Sequence, residues 1–156
     1  MEFLGSTLRQ RLSFGALAIT LVGTLLLYKS SYSANPSVEV QKHWKAIASS
    51  NPELLVTSYS DQAVLKRSYG VSDADEIYRG DSIYSAWQEF FWDYDIKDFQ
   101  VVKQQQRDLR VEAQIKITAK SSQGEVVVLS MSYQAQFDRT GKITKEVWET
   151  DPELSV

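Results

Sequence analysis

The chain has 156 residues, 24% charged and 12% aromatic, with a formal charge of −3. That length leaves room for one domain and a short appendage, and the composition excludes both a disordered polymer and a wholly membrane-embedded protein. With no cysteine and a single histidine, disulfides, thiol nucleophiles, zinc–thiolate sites and imidazole-rich metal clusters are excluded, and neither metal nor cofactor is expected.

Residues 12–28, LSFGALAITLVGTLLLY, carry no charge. As a helix they would span about 25 Å, at the short end of what a bilayer core needs. Arg9 and Arg11 precede the run and Lys29 follows it. The positive-inside rule then leaves residues 1–11 as a short cytoplasmic tail and the rest of the chain outside the cytoplasm. A signal segment cleaved before Ala34, giving a secreted protein, is the alternative. The apolar run is longer than a typical signal core, and Tyr28, Lys29 and Tyr32 crowd the region before the cut, so a single-pass anchor is the preferred reading. Residues 29–37 read as a polar linker and 38–152 as the domain. Residues 1–33 hold Arg9, Arg11, Lys29 and Glu2, so the remainder carries 14 basic and 19 acidic residues, or −5. An acidic domain without a basic stripe is a poor partner for nucleic acid.

Within the domain, Val40, Trp44, Ile47 and Ala48 recur at helical spacing, one apolar face of an amphipathic helix. Asn51 is placed to cap a second helix, with Pro52 at its first position and Leu54, Leu55 and Tyr59 along it. Residues 63–69 suit a short strand, and 71–80 read as a polar stretch. A third helix carries Ile83, Trp87, Phe90, Phe91 and Tyr94, with Asp81 or Ser82 as its cap. From Phe99 the period becomes two. Leu109, Val111, Ala113, Ile115, Ile117 and Ala119 alternate with polar residues, and so do Val127, Leu129, Met131, Tyr133, Ala135 and Phe137. These are half-buried antiparallel strands, joined at Ser121–Gly124 and followed by a turn at Asp138–Gly141 and a last strand at 142–150. Helices followed by a run of strands predict an α+β domain.

Four passages carry a family likeness: Trp44 with Ala46-Ile47 and Asn51-Pro52-Glu53-Leu54-Leu55; Tyr59 to Val64; Tyr78-Arg79-Gly80 with Ile83 and Trp87 to Phe91; and Phe137-Asp138 with Gly141-Lys142-Ile143 and Glu146 to Glu149. In this order and spacing the chain resembles the nuclear transport factor 2-like superfamily, which includes SnoaL-like proteins and shares a cystatin-like cone fold. The likeness runs over residues 38–150. It implies N-terminal helices packed in a curved antiparallel sheet, a cone-shaped half-barrel with a pocket at its open end, here preceded by one transmembrane helix. Ketosteroid isomerase, an enzyme of that superfamily, needs a Tyr, an Asp base and an acidic donor. Those positions correspond to Trp44, Lys66 or Arg67, and Tyr133, and none of them matches.

Asp61 is then the leading carboxylate for acid–base chemistry, set against a plain role as a turn residue bonding nearby backbone. His43, one residue from Trp44, is expected on the solvated side of its helix. Asp73, Asp75 and Glu76 lack the alternation of a calcium loop, and Asp93, Asp95 and Asp98 read as a polar helix exit. Trp44, Tyr59, Trp87, Phe91, Tyr133 and Trp148 fall on elements that the cone would bring together, either as pocket lining or as core. With Asp61 they are the candidate ligand-binding residues. The functional expectation is a non-catalytic module, held to the membrane through residues 12–28, that binds a small apolar ligand or a protein partner. A scaffold component of an envelope complex, self-associating or bound to another envelope protein, comes second, and a SnoaL-like acid–base enzyme third.

Overall fold

The computed structural model describes residues 34–68 and 75–151. Helix α1 (Pro36–Ala48) starts where its sequence allows. The Asn35 side chain accepts the Ser37 N–H at 3.0 Å and Pro36 takes the first helical position. The helix thus begins inside the segment expected as linker. Its buried residues are Pro36, Val40, His43, Trp44, Ala46 and Ile47, so Ala46 and not Ala48 completes the face.

The short α2 (Pro52–Val56) is capped by Asn51, whose Oδ1 accepts the Leu54 N–H at 2.8 Å. It does not reach Tyr59. The Thr57 hydroxyl donates to the Leu54 carbonyl at 2.6 Å, and the Ser58 carbonyl accepts the Ile143 N–H at 2.8 Å, which draws the chain into the sheet. Tyr59 is therefore the first residue of β1 (Tyr59–Ser68). Part of the stretch expected as loop is β2 (Glu76–Arg79), a four-residue edge strand antiparallel to β1. Its short length and charged termini suit an edge. Tyr69, Asp73 and the rest of 69–74 lie outside the described residues.

Helix α3 (Ser82–Asp93) buries Ile83, Ala86, Trp87 and Phe90. Asp81 makes no side-chain cap; the Ser82 hydroxyl instead accepts the Arg79 N–H at 2.8 Å. At Tyr94 the chain passes directly into β3 (Tyr94–Arg107), so Asp95 and Asp98 are strand residues and not a helix exit. Strands β4 (Arg110–Ser121), β5 (Val126–Phe137) and β6 (Ile143–Thr150) follow.

The sheet order is β2-β1-β6-β5-β4-β3. Every pairing is antiparallel except β1 with β6, so the sheet is mixed and not wholly antiparallel. Nearly the whole domain separates those two strands, which gives the chain ample length for a parallel crossover. Register shifts in β1, twice in β3 and near the end of β5 are the bulges that bend strands. The inward residues of the curved sheet and the apolar faces of α1 and α3 form one buried cluster. No helix among the described residues is long and apolar enough to cross a membrane; residues 12–28 lie outside them.

Candidate functional site

Strand parity and register set the inner wall of the cone. Ala113 pairs with Tyr133, Tyr133 with Trp148, and Trp148 with Arg67, in one row across four strands. The next row runs Val111, Ala135, Glu146, Leu65. Against this wall α1 sets His43 and Trp44, and α3 sets Trp87, Phe90 and Phe91.

The rings meet in favourable edge or offset geometries. Trp44 and Tyr133 have centroids 5.4 Å apart, Tyr133 and Trp148 4.7 Å, Trp148 and Trp87 6.1 Å, and Trp87 stacks on Phe91 at 5.7 Å. Six of the seven sequence candidates thus share one interior. Trp44, Tyr59, Trp87, Tyr133 and Trp148 are buried, and Phe91 is half-buried beside them. Asp61 is apart from them. It is exposed on β1, on an open groove of about 500 Å³ that Ser60, Gly80, Asp81 and Tyr84 also line and that touches the other six only at Tyr59.

Three interior residues escaped the sequence reading. His43 was expected in solvent but is 0% exposed, as is Glu146. The physical reason is spacing: His43 lies three residues after Val40 and four before Ile47, within the same helical stripe. Its Nε2 lies 2.8 Å from Glu146 Oε1. The Tyr59 hydroxyl donates to Glu146 Oε2, and the Trp87 indole N–H donates to the Tyr59 oxygen at 2.9 Å. This chain of bonds joins α1, β1, α3 and β6. Burial, and then the Glu146 carboxylate, push the Tyr59 hydroxyl well above its ordinary pKa, so it stays a donor. The same causes raise Tyr133, whose hydroxyl lies near Glu146 and the Trp44 indole without meeting either at hydrogen-bonding geometry.

Arg67 is the third. Its parity with Ala63 and Leu65 turns it inward, where it is 4% exposed. Its guanidinium donates to the Ala86 carbonyl at 3.0 Å and the Tyr78 hydroxyl at 2.8 Å, and pairs with Glu76 at 3.2 Å. The Tyr78 ring lies 4.7 Å from its central carbon.

Chemically, the interior holds polar groups in a dry, aromatic setting. His43 Nδ1, Trp44 Nε1, the Tyr133 hydroxyl and Trp148 Nε1 are buried with no hydrogen-bond partner among the described residues. A cavity of about 10 Å³, bounded by Arg67, Trp87, Phe90, Ile117, Leu129, Met131 and Trp148, leaves room for about one water. In this conformation the aromatic side chains fill the rest. His43 and Glu146 are wholly buried, so the His43–Glu146–Tyr59 chain as built is an internal polar clasp whose Tyr59 end borders the groove at Asp61. Among the described residues no three His, Asp or Glu side chains come close enough to hold a metal ion.

No family model matches the sequence, and no curated protein does. Solved structures do. A candidate isomerase from Bacillus subtilis superposes with a TM-score of 0.66 at 12% identity, over 77% of this chain and 91% of that one. A protein of unknown function from Burkholderia pseudomallei, described as nuclear transport factor 2-like, gives 0.62 at 11% identity, over 76% and 92%. A Catenulispora acidiphila protein with a ketosteroid isomerase-like fold, solved with trimethylamine, gives 0.62 at 12%, over 73% and 85%. The fold is nuclear transport factor 2-like. At these identities the likeness extends to the shape alone. In this nuclear transport factor 2-like cone the interior is the concavity that the sheet wraps around, and there the unpartnered ring atoms gather.

Proposed function

We propose that the chain is a membrane-tethered, non-catalytic binding module whose small ligand enters the aromatic interior of the cone. One observation carries this reading: four ring N and O–H groups, on His43, Trp44, Tyr133 and Trp148, are buried in one aromatic core without a hydrogen-bond partner among the described residues, and Trp148 also borders its small cavity. Buried polar groups without partners are uncommon, and each costs on the order of 1–3 kcal/mol of desolvation. Their concentration in one place is best accounted for by a guest that supplies the missing bonds. The enzyme reading loses ground because its one sequence candidate, Asp61, stands outside that interior. The scaffold reading calls for an apolar docking face. The outer side of β3–β5 presents Lys103, Gln105, Glu112, Gln114, Ser132 and Gln134 around a polar trough, and its exposed apolar surface is confined to valines such as Val102, Val126 and Val128.

The test is native mass spectrometry of the full chain, extracted from its own membranes in mild detergent. An additional small mass that stays bound, leaves on denaturation and diminishes in Trp148→Phe supports the binding reading. A bare chain whose stability no small-molecule panel shifts would sink it.

A further inference from the structure

At the C-terminal end of α3 the chain leaves its largest side chain type in water. Trp92 is 84% exposed and makes no ring contact among the described residues. A lone exposed apolar side chain is ordinary on a protein surface, but Trp92 is not alone. It lies on an open groove of about 540 Å³ that Ser50, Pro52, Gln88, Glu89 and Phe91 also line. Helix α3 supplies one wall, since Gln88 and Glu89 stand four and three residues before Trp92 and so share its face. Phe91, half-buried and stacked on Trp87 at 5.7 Å, ties that wall to the core. The α1–α2 turn supplies the other, where Ser50 has φ 49° and Pro52 opens α2.

The charges beside Trp92 have one sign. Glu89 and Asp93 are exposed, and neither carboxylate has an ion-pair or hydrogen-bond partner among the described residues. The next carboxylate along the chain, Asp95, is taken by Lys97. No Lys or Arg lines the groove, and the last turn of α3 holds no basic residue. Carboxylates are unfavourable at this end of a helix, where the unsatisfied carbonyls carry the negative end of the dipole. Two free carboxylates and a helix C-terminus around an open indole face are complementary to a cation. A guanidinium suits them best, because it stacks on the ring while its N–H groups reach a carboxylate. Anionic lipid headgroups are repelled by the same charges. A single open ring is no cage, so a small free cation gains little, and firm binding needs further contact along the groove.

We propose that this groove docks a basic segment of a partner protein, with an arginine of that segment stacked on Trp92 and paired with Glu89, and an apolar neighbour laid on Phe91 and Pro52. Exposed Trp at a groove is the residue type that most often dominates binding energy at protein interfaces. The groove shares only Phe91 with the aromatic interior. A small ligand inside the cone and a protein segment here are therefore separate events, and either can exist without the other.

The test is a random hexapeptide array probed with the full chain in detergent, followed by titration of the best binder by fluorescence anisotropy. The expected result is enrichment of arginine beside an apolar residue. Replacing that arginine by citrulline, which keeps the shape and removes the charge, should weaken binding about fivefold or more. Trp92→Ala and Glu89→Lys should each weaken the same peptide to a similar extent, with the effect of Glu89→Lys shrinking as salt is added. Both side chains are exposed, so the fold is kept, and an unchanged thermal midpoint verifies it. An array with no preference for arginine overturns the assignment. So does a preference that both variants retain, which would belong to the acidic surface as a whole. Self-association of the full chain that Trp92→Ala abolishes makes the groove a contact between copies and overturns the partner. An indole at position 92 that phosphatidylglycerol nanodiscs shield from acrylamide does the same in favour of the membrane.

Discussion

At the scale of single residues, Glu146 is held from two sides. It is wholly buried, and two side chains from other elements, on His43 and Tyr59, meet its two oxygens. Two physical accounts of that contact differ in what they predict. If charge holds it, Gln at 146 should be nearly as harmful as losing the histidine. If hydrogen bonding holds it, Glu146→Gln still accepts from Tyr59 through its oxygen and can donate its amide to the other tautomer of His43. We expect hydrogen bonding to dominate, because attraction between buried charges is largely cancelled by the cost of dehydrating them. Glu146→Gln should then cost about 1 kcal/mol. His43→Leu leaves a buried carboxylate short of a partner and should cost about 3–5 kcal/mol. Urea unfolding of the two variants checks this, and equal losses would favour the charge account. His43 and Glu146 also show why this contact was hidden in the sequence. They are 103 positions apart, and a polar residue inside an apolar stripe looks solvent-facing until its partner is known.

Among the elements, the β5–β6 turn fastens the start of α1 to the sheet. Gly141 has φ +85°, and a Cβ placed there would come 2.7 Å from the Ala34 Cβ and 3.0 Å from Glu39 Cγ. Backbone strain and collision act together, so Gly141→Ala should cost about 1–3 kcal/mol by urea midpoint and should loosen α1 in hydrogen exchange. Asp138 sets the same turn by accepting from the backbone N–H groups of Thr140 at 2.8 Å and Lys142 at 3.0 Å, and from the Thr140 hydroxyl at 2.7 Å. Burial pushes its carboxyl up, but these bonds outweigh burial and hold it below the ordinary range. With the folded pKa below the unfolded value of about 3.9, the contribution is whole above that value and fades as pH falls through the folded one. Asp138→Asn should therefore lose about 1 kcal/mol at pH 7, with the gap to the parent closing below about pH 4; a gap that stays constant to pH 3 would assign it to shape and not to charge. Element by element, legibility in the sequence followed local periodicity. The alternation along β4 and β5 was plain because one face of each is wet, and the Asn51 cap was plain because Pro follows it, whereas the same Asn-Pro pair at Asn35 passed for linker because no apolar period surrounds it. The strand β2 was not, since four residues with charged ends have no period to read and exist by pairing with β1. The inward turn of Arg67 and Glu146 was available from parity with Leu65 and Trp148, but a charge at an inward position becomes credible only with the tertiary partner in view.

For the molecule as a whole, the membrane tether and the cone make separable claims. The described domain has no helix able to span a bilayer, so the proposed attachment rests on residues 12–28 alone, seventeen uncharged residues flanked by Arg11 and Lys29. Seventeen residues match a hydrocarbon core of about 30 Å only by drawing on flanking side chains or local thinning. That is enough for one untilted pass, and an interfacial helix would instead need a charged face, which this run lacks. The full chain should therefore stay in the membrane pellet through alkaline carbonate extraction, and removing residues 12–28 should move it to the supernatant. Protease added from the side opposite the cytoplasm should reach the domain, because Arg9 and Arg11 favour an inside N-terminus. Sequencing the mature N-terminus separates this from processing: a chain that begins at Ala34 and is found free of the membrane would replace the tether with secretion. The backbone supplies a reason to make that measurement. Ala34 N–H bonds the Arg139 carbonyl at 3.3 Å, so a cut before Ala34 would leave a charged amine at the turn that Gly141 and Asp138 shape. In the anchored chain the same position carries a neutral peptide. The acidity of Asp138, measured as the pH at which unfolding sets in, should then be greater in the cleaved form than in the intact one, since a nearby ammonium favours its carboxylate.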